Sequence, residues 1–139
     1  MKILFVCQYN VGRSQMAAAM YNKLSGSSDA ESAGTEVEKP GQTLIERTKE
    51  RGGASHVIDV MKEEGIDVSN NSRKQITKSI IKQYDRIISM ADKTHTPEWL
   101  LEASNYMYWH IPDPMTKNYD ETIKAKKQIT NKIKTEFNL

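Results

Sequence analysis

The chain has one cysteine, Cys7, among 139 residues. A lone cysteine excludes an internal disulfide and any cysteine-rich zinc site. Histidine is scarce too: His56, His95 and His110 show no ligand-like spacing, so no metal site is expected. Charge of one sign is not in excess. Twenty Lys and Arg against 18 Asp and Glu leave a net charge of +2, too mild to mark a partner in nucleic acid or a membrane surface. No apolar run approaches the length of a membrane span. Five apolar residues lead from Lys2 to Cys7 and are followed at once by Gln8 and Asn10, which is too short for a secretory signal. The expectation is a cytoplasmic protein with one domain over 1–139. No internal repeat, low-complexity tract or interdomain linker stands out.

What is present reads as alternating strands and helices. "KILFV" (2–6) is apolar without alternation, the pattern of a strand buried on both faces. Residues 7–13 form a loop, and Ser14 opens a helix to Lys23 with Met16, Met20 and Leu24 on one face. "SGSSD" (25–29) breaks it, and "AESAG" (30–34) is a second strand. Residues 36–55 are polar, with one helix turn expected around Leu44 and Ile45, and read as an insertion, either a lid beside a site or a surface excursion. Helices are predicted over 56–65, with Gly65 as stop, and over 72–83, with Ile76, Ile80 and Ile81 inward. "DRIISMA" (85–91) is a third strand. Thr96 caps a helix over 96–103 with Pro97 in its first turn. "YMYWHI" (106–111) is a fourth strand, and "PDPM" (112–115) a loop. A last helix spans 119–137, with Tyr119, Ile123, Ile129, Ile133 and Phe137 on one arc and the lysines of 117–134 toward water.

The order β-α-β-α-α-β-α-β-α predicts an α/β fold: a four-stranded parallel sheet between helical layers. Sites in such sheets lie at the carboxyl ends of the strands. Cys7 ends the first strand and Asp113 follows the fourth, so the fold can bring them to one edge. A strand-to-helix loop aims backbone N–H groups at one spot, and the helix N-terminus adds its positive end. A cysteine there is placed to act as a thiolate nucleophile. Arg13 can grip two oxygens of a tetrahedral oxyanion. Gln8, Tyr9, Asn10, Val11, Gly12, Arg13 and Ser14 would surround a phosphate-sized hole after Cys7. Asp113 is the best proton donor for a leaving alkoxide or phenoxide. Ser14 would donate its hydroxyl to the sulfur, and Asn10 tolerates a left-handed backbone that pins the loop. Tyr9 either walls the pocket or faces solvent.

The stretch C-Q-Y-N-V-G-R-S (Cys7–Ser14) resembles the C-x5-R-[ST] phosphate loop of the low-molecular-weight protein tyrosine phosphatase superfamily. "SAGT" (32–35), "GIDVS" (65–69) and "PDP" (112–114) stand where that superfamily has similar segments. The resemblance covers nearly the whole chain. It implies Cys7 as nucleophile, Arg13 for transition-state binding and Asp113 as general acid. "RSQMA" and "YWHIPDPM" look more like the superfamily's arsenate reductase branch than its phosphatase branch. The phosphatases usually have Pro where Gln15 stands and an aromatic where Met115 stands. Thioredoxin-coupled reductases need two further cysteines, which by resemblance would fall near Ala91 and Thr96, so a disulfide cascade within this chain is excluded. The reductases tend to have Glu where Ala18 stands, which argues against a bound potassium ion.

Three functions follow as expectations. The first is a cysteine-dependent phosphatase acting on a phosphorylated protein or small phosphate ester without a cofactor. The second is an arsenate reductase whose adduct is resolved by an external low-molecular-weight thiol or a glutaredoxin-like partner. The third is a non-catalytic oxyanion-binding module.

Overall fold

Ile3–Cys7 form β1, and every one of these residues is buried. The computed structural model describes residues 1–51, 54–114 and 118–139. After β1 come α1 (Arg13–Ser25), β2 (Ala30–Gly34), α2 (Leu44–Glu50), α3 (Ala54–Glu63), β3 (Arg86–Ser89), α4 (Glu98–Leu101), β4 (Tyr106–Tyr108) and α5 (Tyr119–Phe137). The four strands make one sheet in the order β2-β1-β3-β4, with every pairing parallel. The chain leaves β1 for β2 on one side and returns to β3 on the other. The crevice of such a sheet opens where the strand order reverses, at the carboxyl ends of β1 and β3.

Alternation along β1 sends side chains to two cores. Ile3 and Phe5 join Ile88, Met16, Met20, Val57, Met61, Ile129 and Ile133 beneath α1, α3 and α5. Leu4 and Val6 join Ala33, Ile76, Ile81, Ile87 and Leu100 on the other face. Two glycines end helices as their sequence positions predict. Gly26 (φ 67°) closes α1, and Gly65 (φ 76°) turns the chain after α3, conformations that side chains with a Cβ resist. Glu64 lies between Lys23 and Lys126, at 2.9 and 2.7 Å, and so links α1 and α5 to the end of α3. Lys126 is therefore an exception to the solvated lysine face, with a side chain only 12% exposed.

The predicted element order holds, but one helix of the pair between β2 and β3 is a different segment. Residues 72–83 do not form a helix. Ser72–Ile76 run extended against the end of β2: the Gly34 amide donates to the Lys74 carbonyl (2.8 Å) and the Ile76 amide to the Gly34 carbonyl (2.9 Å). Only Ile80–Gln83 make a 3-10 turn. The backbone groups at the end of β2 need partners more than the isoleucines need a helix, and Ile76 and Ile81 are buried all the same. The helix that takes this place is α2. It starts on a capping box in which Thr43 accepts from the Glu46 amide while Glu46 accepts from the Thr43 amide.

Thr96 does not cap α4. Its hydroxyl donates to the Asp92 carbonyl at 2.8 Å, closing the turn Lys93–His95, and Pro97 takes the position before the helix. The helix predicted over 96–103 and the strands predicted over 85–91 and 106–111 are all shorter in the structure. Of the sequence features read above, Met115, Lys117 and residues 52 and 53 of the 36–55 segment lie outside the described residues. Among the described residues no helix is long and apolar enough to cross a membrane.

Candidate active site

The loop between β1 and α1 joins Cys7 to Arg13. Cys7 is the last residue of β1 and is 3% exposed. Arg13 is the first residue of α1, one position earlier than the sequence predicts. The residue before it, Gly12, offers no side-chain cap, so nothing on a side chain occupies the helix N-terminus. First-turn amides in that condition favour an anion.

Asn10 sets the shape of the loop. It is fully buried, with φ at 56°, and its side chain uses both of its ends. Nδ2 donates to Ser14 Oγ (2.8 Å) and Ser32 Oγ (3.0 Å). Oδ1 accepts from the Lys74 amide (2.8 Å) and from Gln15 Nε2 (3.3 Å). The Lys74 amide can only donate, which fixes which way the Asn10 amide faces. Ser14 Oγ lies 2.9 Å from Cys7 Sγ. Asn10 donates to that oxygen and so leaves the hydroxyl proton of Ser14 available for the sulfur, to which it can donate once the thiol has lost its own proton.

Arg13 is held from the far side of the sheet edge. Its Nη1 donates to the carbonyls of Met90 (2.6 Å) and Ile111 (2.8 Å), which follow β3 and β4. Those bonds fix the plane of the guanidinium. Nη2 lies 3.6 Å from Asp113 Oδ2. Cys7, Arg13 and Asp113 therefore meet at one cavity of about 320 Å³, together with Tyr9, Val11, Gly12 and Pro114. Tyr9 does both things left open by the sequence: it lines the cavity and stays 40% exposed. Gln8 turns away from the cavity, its Nε2 donating to Glu36 Oε1 at 2.6 Å.

Two contributions were not read from the sequence, and a third was left open between a lid and a surface excursion. Arg73, 2% exposed, reaches across to the loop, where Nε and Nη2 both donate to the Tyr9 carbonyl (3.1 and 2.9 Å) and Nη1 donates to Gln42 Oε1 (2.9 Å). Burial pushes its pKa below the ordinary arginine value. Nothing in the local pattern of "SRKQ" marks that arginine, because its partner lies 64 residues away. Gly34 is the second: a Cβ there would stand 2.8 Å from the Gln8 carbonyl oxygen and 2.9 Å from the Asn10 nitrogen, so β2 can approach the loop only as glycine. The third is the 36–55 segment. It is part of the cavity wall, through Glu38, Arg47 and Arg51. The Thr43-x-x-Glu46 capping box was the sequence signal that a helix starts there. Among the described residues no group of His, Cys, Asp and Glu is arranged to hold a metal ion.

"Arsenate reductase 2" of Staphylococcus haemolyticus is 28% identical over 135 residues, spanning 96% of this chain and 93% of its own length. The structure of Vibrio vulnificus Wzb in complex with benzylphosphonate superposes with a TM-score of 0.79 at 27% identity, covering 97% of this chain and 95% of that one. The low molecular weight protein tyrosine phosphatase of T. tengcongensis shares the fold, with a TM-score of 0.78 at 23% identity over 99% of this chain and 98% of its own. The family model for low molecular weight phosphotyrosine protein phosphatases matches residues 2–138, and the chain belongs to that family.

Proposed function

We propose that the protein is a cysteine-dependent phosphatase that hydrolyses aryl-type phosphate monoesters, including phosphotyrosine, through a phosphocysteine intermediate. The observation that carries this reading is the convergence of Cys7, Arg13 and Asp113 on one cavity, with Ser14 Oγ 2.9 Å from the sulfur. Cys7 Sγ attacks phosphorus in line, forming the S–P bond as the ester P–O bond breaks. Arg13 and the amides at the start of α1 hold the equatorial oxygens as charge builds on them. Asp113 gives its proton to the leaving oxygen. In the second step the Asp113 carboxylate takes a proton from water, whose oxygen attacks phosphorus. The S–P bond then breaks, and the Ser14 hydroxyl stabilises the departing thiolate. Tyr9, Val11, Val57 and Pro114 supply the apolar side of the cavity for the leaving group. Neither step calls for a metal or an organic cofactor.

A second reading is favoured by the curated relatives, which are named arsenate reductases. The same thiolate would attack arsenate. With a single cysteine, both electrons for reduction to arsenite would come from external thiols, which are oxidised to a disulfide. The deciding experiment assays wild type and Cys7→Ser for aryl phosphate hydrolysis, and for arsenite formation with a panel of small thiols and glutaredoxin. Hydrolysis that depends on Cys7, with no arsenite, is the expected result. Rapid arsenite formation with weak hydrolysis establishes the reductase. Oxyanion binding without turnover of either substrate establishes a binding module.

A further inference from the structure

The cavity that holds Cys7 and Arg13 continues into a wall that the phosphoryl chemistry does not use. That wall is Glu38, Arg47 and Arg51, at the two ends of the 36–55 segment. Arg51 Nη2 is paired with Glu38 Oε2 at 2.6 Å. Glu50, the other nearby carboxylate, is occupied by Lys39 Nζ at 2.7 Å and Gln42 Nε2 at 2.6 Å. Arg47 has only a backbone acceptor, the Arg51 carbonyl at 3.2 Å from its Nη1, and no carboxylate within ion-pair distance among the described residues. Burial and the charge of Arg51 push the Arg47 pKa below the ordinary arginine value, and the more distant Glu38 and Glu50 offset this only in part. Arg73 adds a further positive charge behind the wall.

A cavity of about 320 Å³ takes a small organic group beside a phosphate. An ester seated on Cys7 shares this cavity with the arginine pair, which brings them within the space open to its leaving group. We infer that Arg47, assisted by Arg51, is a specificity-determining anion subsite that selects phosphate esters bearing a second negative charge, a carboxylate or a phosphate, on the leaving-group side. The inference rests on the phosphatase reading and names its substrate class. A guanidinium without a carboxylate partner, partly screened from water, holds an incoming carboxylate more strongly than an exposed lysine would. Glu38 moderates the site by holding Arg51.

The test keeps the leaving group constant and changes only its charge. N-acetylphosphotyrosine with a free carboxylate is compared with its amide. In parallel, phosphotyrosine peptides with Asp and Glu flanks are compared with Asn and Gln counterparts. The first pair reads a carboxylate on a small molecule, and the second reads acidic neighbours on a peptide. The expected result is a five- to tenfold higher kcat/KM for the acidic member of at least one pair, shrinking with added salt. In Arg47→Gln that ratio falls toward one, Arg47→Lys restores part of it, and Glu38→Gln raises it by freeing Arg51. Equal kcat/KM for both members in wild type, or a ratio unmoved by Arg47→Gln, overturns the subsite. The same peptide pairs made with a non-hydrolysable phosphonate are titrated onto wild type and Arg47→Gln. Tighter binding of the acidic phosphonate, lost in the variant, upholds the subsite even if no ester is turned over, which would count against the phosphatase reading alone. Equal affinity for the two phosphonates overturns the subsite whatever the turnover shows.

Discussion

Asn10→Ala should separate the architecture of the phosphate loop from its chemistry. The substitution removes two accepted and two donated bonds at a fully buried site. The Lys74 amide loses its 2.8 Å acceptor in the interior, which costs about 1–3 kcal/mol. The two serine hydroxyls can turn to other acceptors, so each lost bond costs less, about 0.5–1 kcal/mol. Alanine also resists the left-handed backbone that Asn10 adopts at φ 56°, adding about 1 kcal/mol. Neighbouring terms do not add fully, so the expected loss is about 3 kcal/mol, a large share of the stability of a domain this size. Asn10→Gly removes the same bonds and relieves the backbone, so it should be more stable than Asn10→Ala by about 0.5–1 kcal/mol. Urea denaturation at pH 7 measures both differences. Ser14 loses the Asn10 amide that holds its oxygen beside the sulfur, so kcat on an aryl phosphate should fall about 10–100-fold with a smaller change in KM. Stability of Asn10→Ala within about 0.5 kcal/mol of wild type, or a glycine variant no better than the alanine one, would refute the role given to this side chain.

Gly34→Ala places a methyl group against two backbone atoms of the loop at 2.8 and 2.9 Å; a loss of about 2 kcal/mol together with most activity is expected, and a fully active, equally stable variant would show that β2 can retreat freely. Asp113→Asn should slow esters with poor leaving groups about 10²–10³-fold while sparing those with acidic leaving groups, and an equal loss across a series of phenols would remove the general-acid role. Glu64 is held by Lys126 and Lys23 well below the ordinary carboxylate range, at about 2. Its contribution is therefore fully present above the ordinary glutamate value and disappears as pH falls through about 2. Glu64→Gln should cost about 1 kcal/mol at pH 7 and progressively less below pH 4, as measured by denaturation at several pH values; a pH-independent difference would mean that the contribution is not ionic.

The loop from Cys7 to Ser14 was legible because its parts are adjacent in the chain. An apolar run, a cysteine, a residue that accepts a left-handed backbone and an arginine at the head of a helix are local choices, and β1 and α1 carry them wherever the sheet goes. The parallel order of strands followed from alternation with helices. Asp113 was legible for the same reason, since it directly follows the last strand. By contrast, Ile76, Ile80 and Ile81 have helical spacing, yet backbone pairing with Gly34 took that segment into an extended path. Local periodicity does not record which distant amide needs a partner.

Sequence alone thus determined the place of Cys7 at the end of β1, the loop that joins it to Arg13 at the head of α1, and the parallel sheet, because each depends on residues within one strand-loop-helix unit. Only the tertiary structure decided that Arg73 holds the Tyr9 carbonyl, that Ser32 and the Lys74 amide complete the Asn10 network, and that Arg47 and Arg51 wall the cavity. Those side chains act across gaps of tens of residues. Their positions follow from the packing of whole elements, and no property of their immediate neighbours in the chain encodes it.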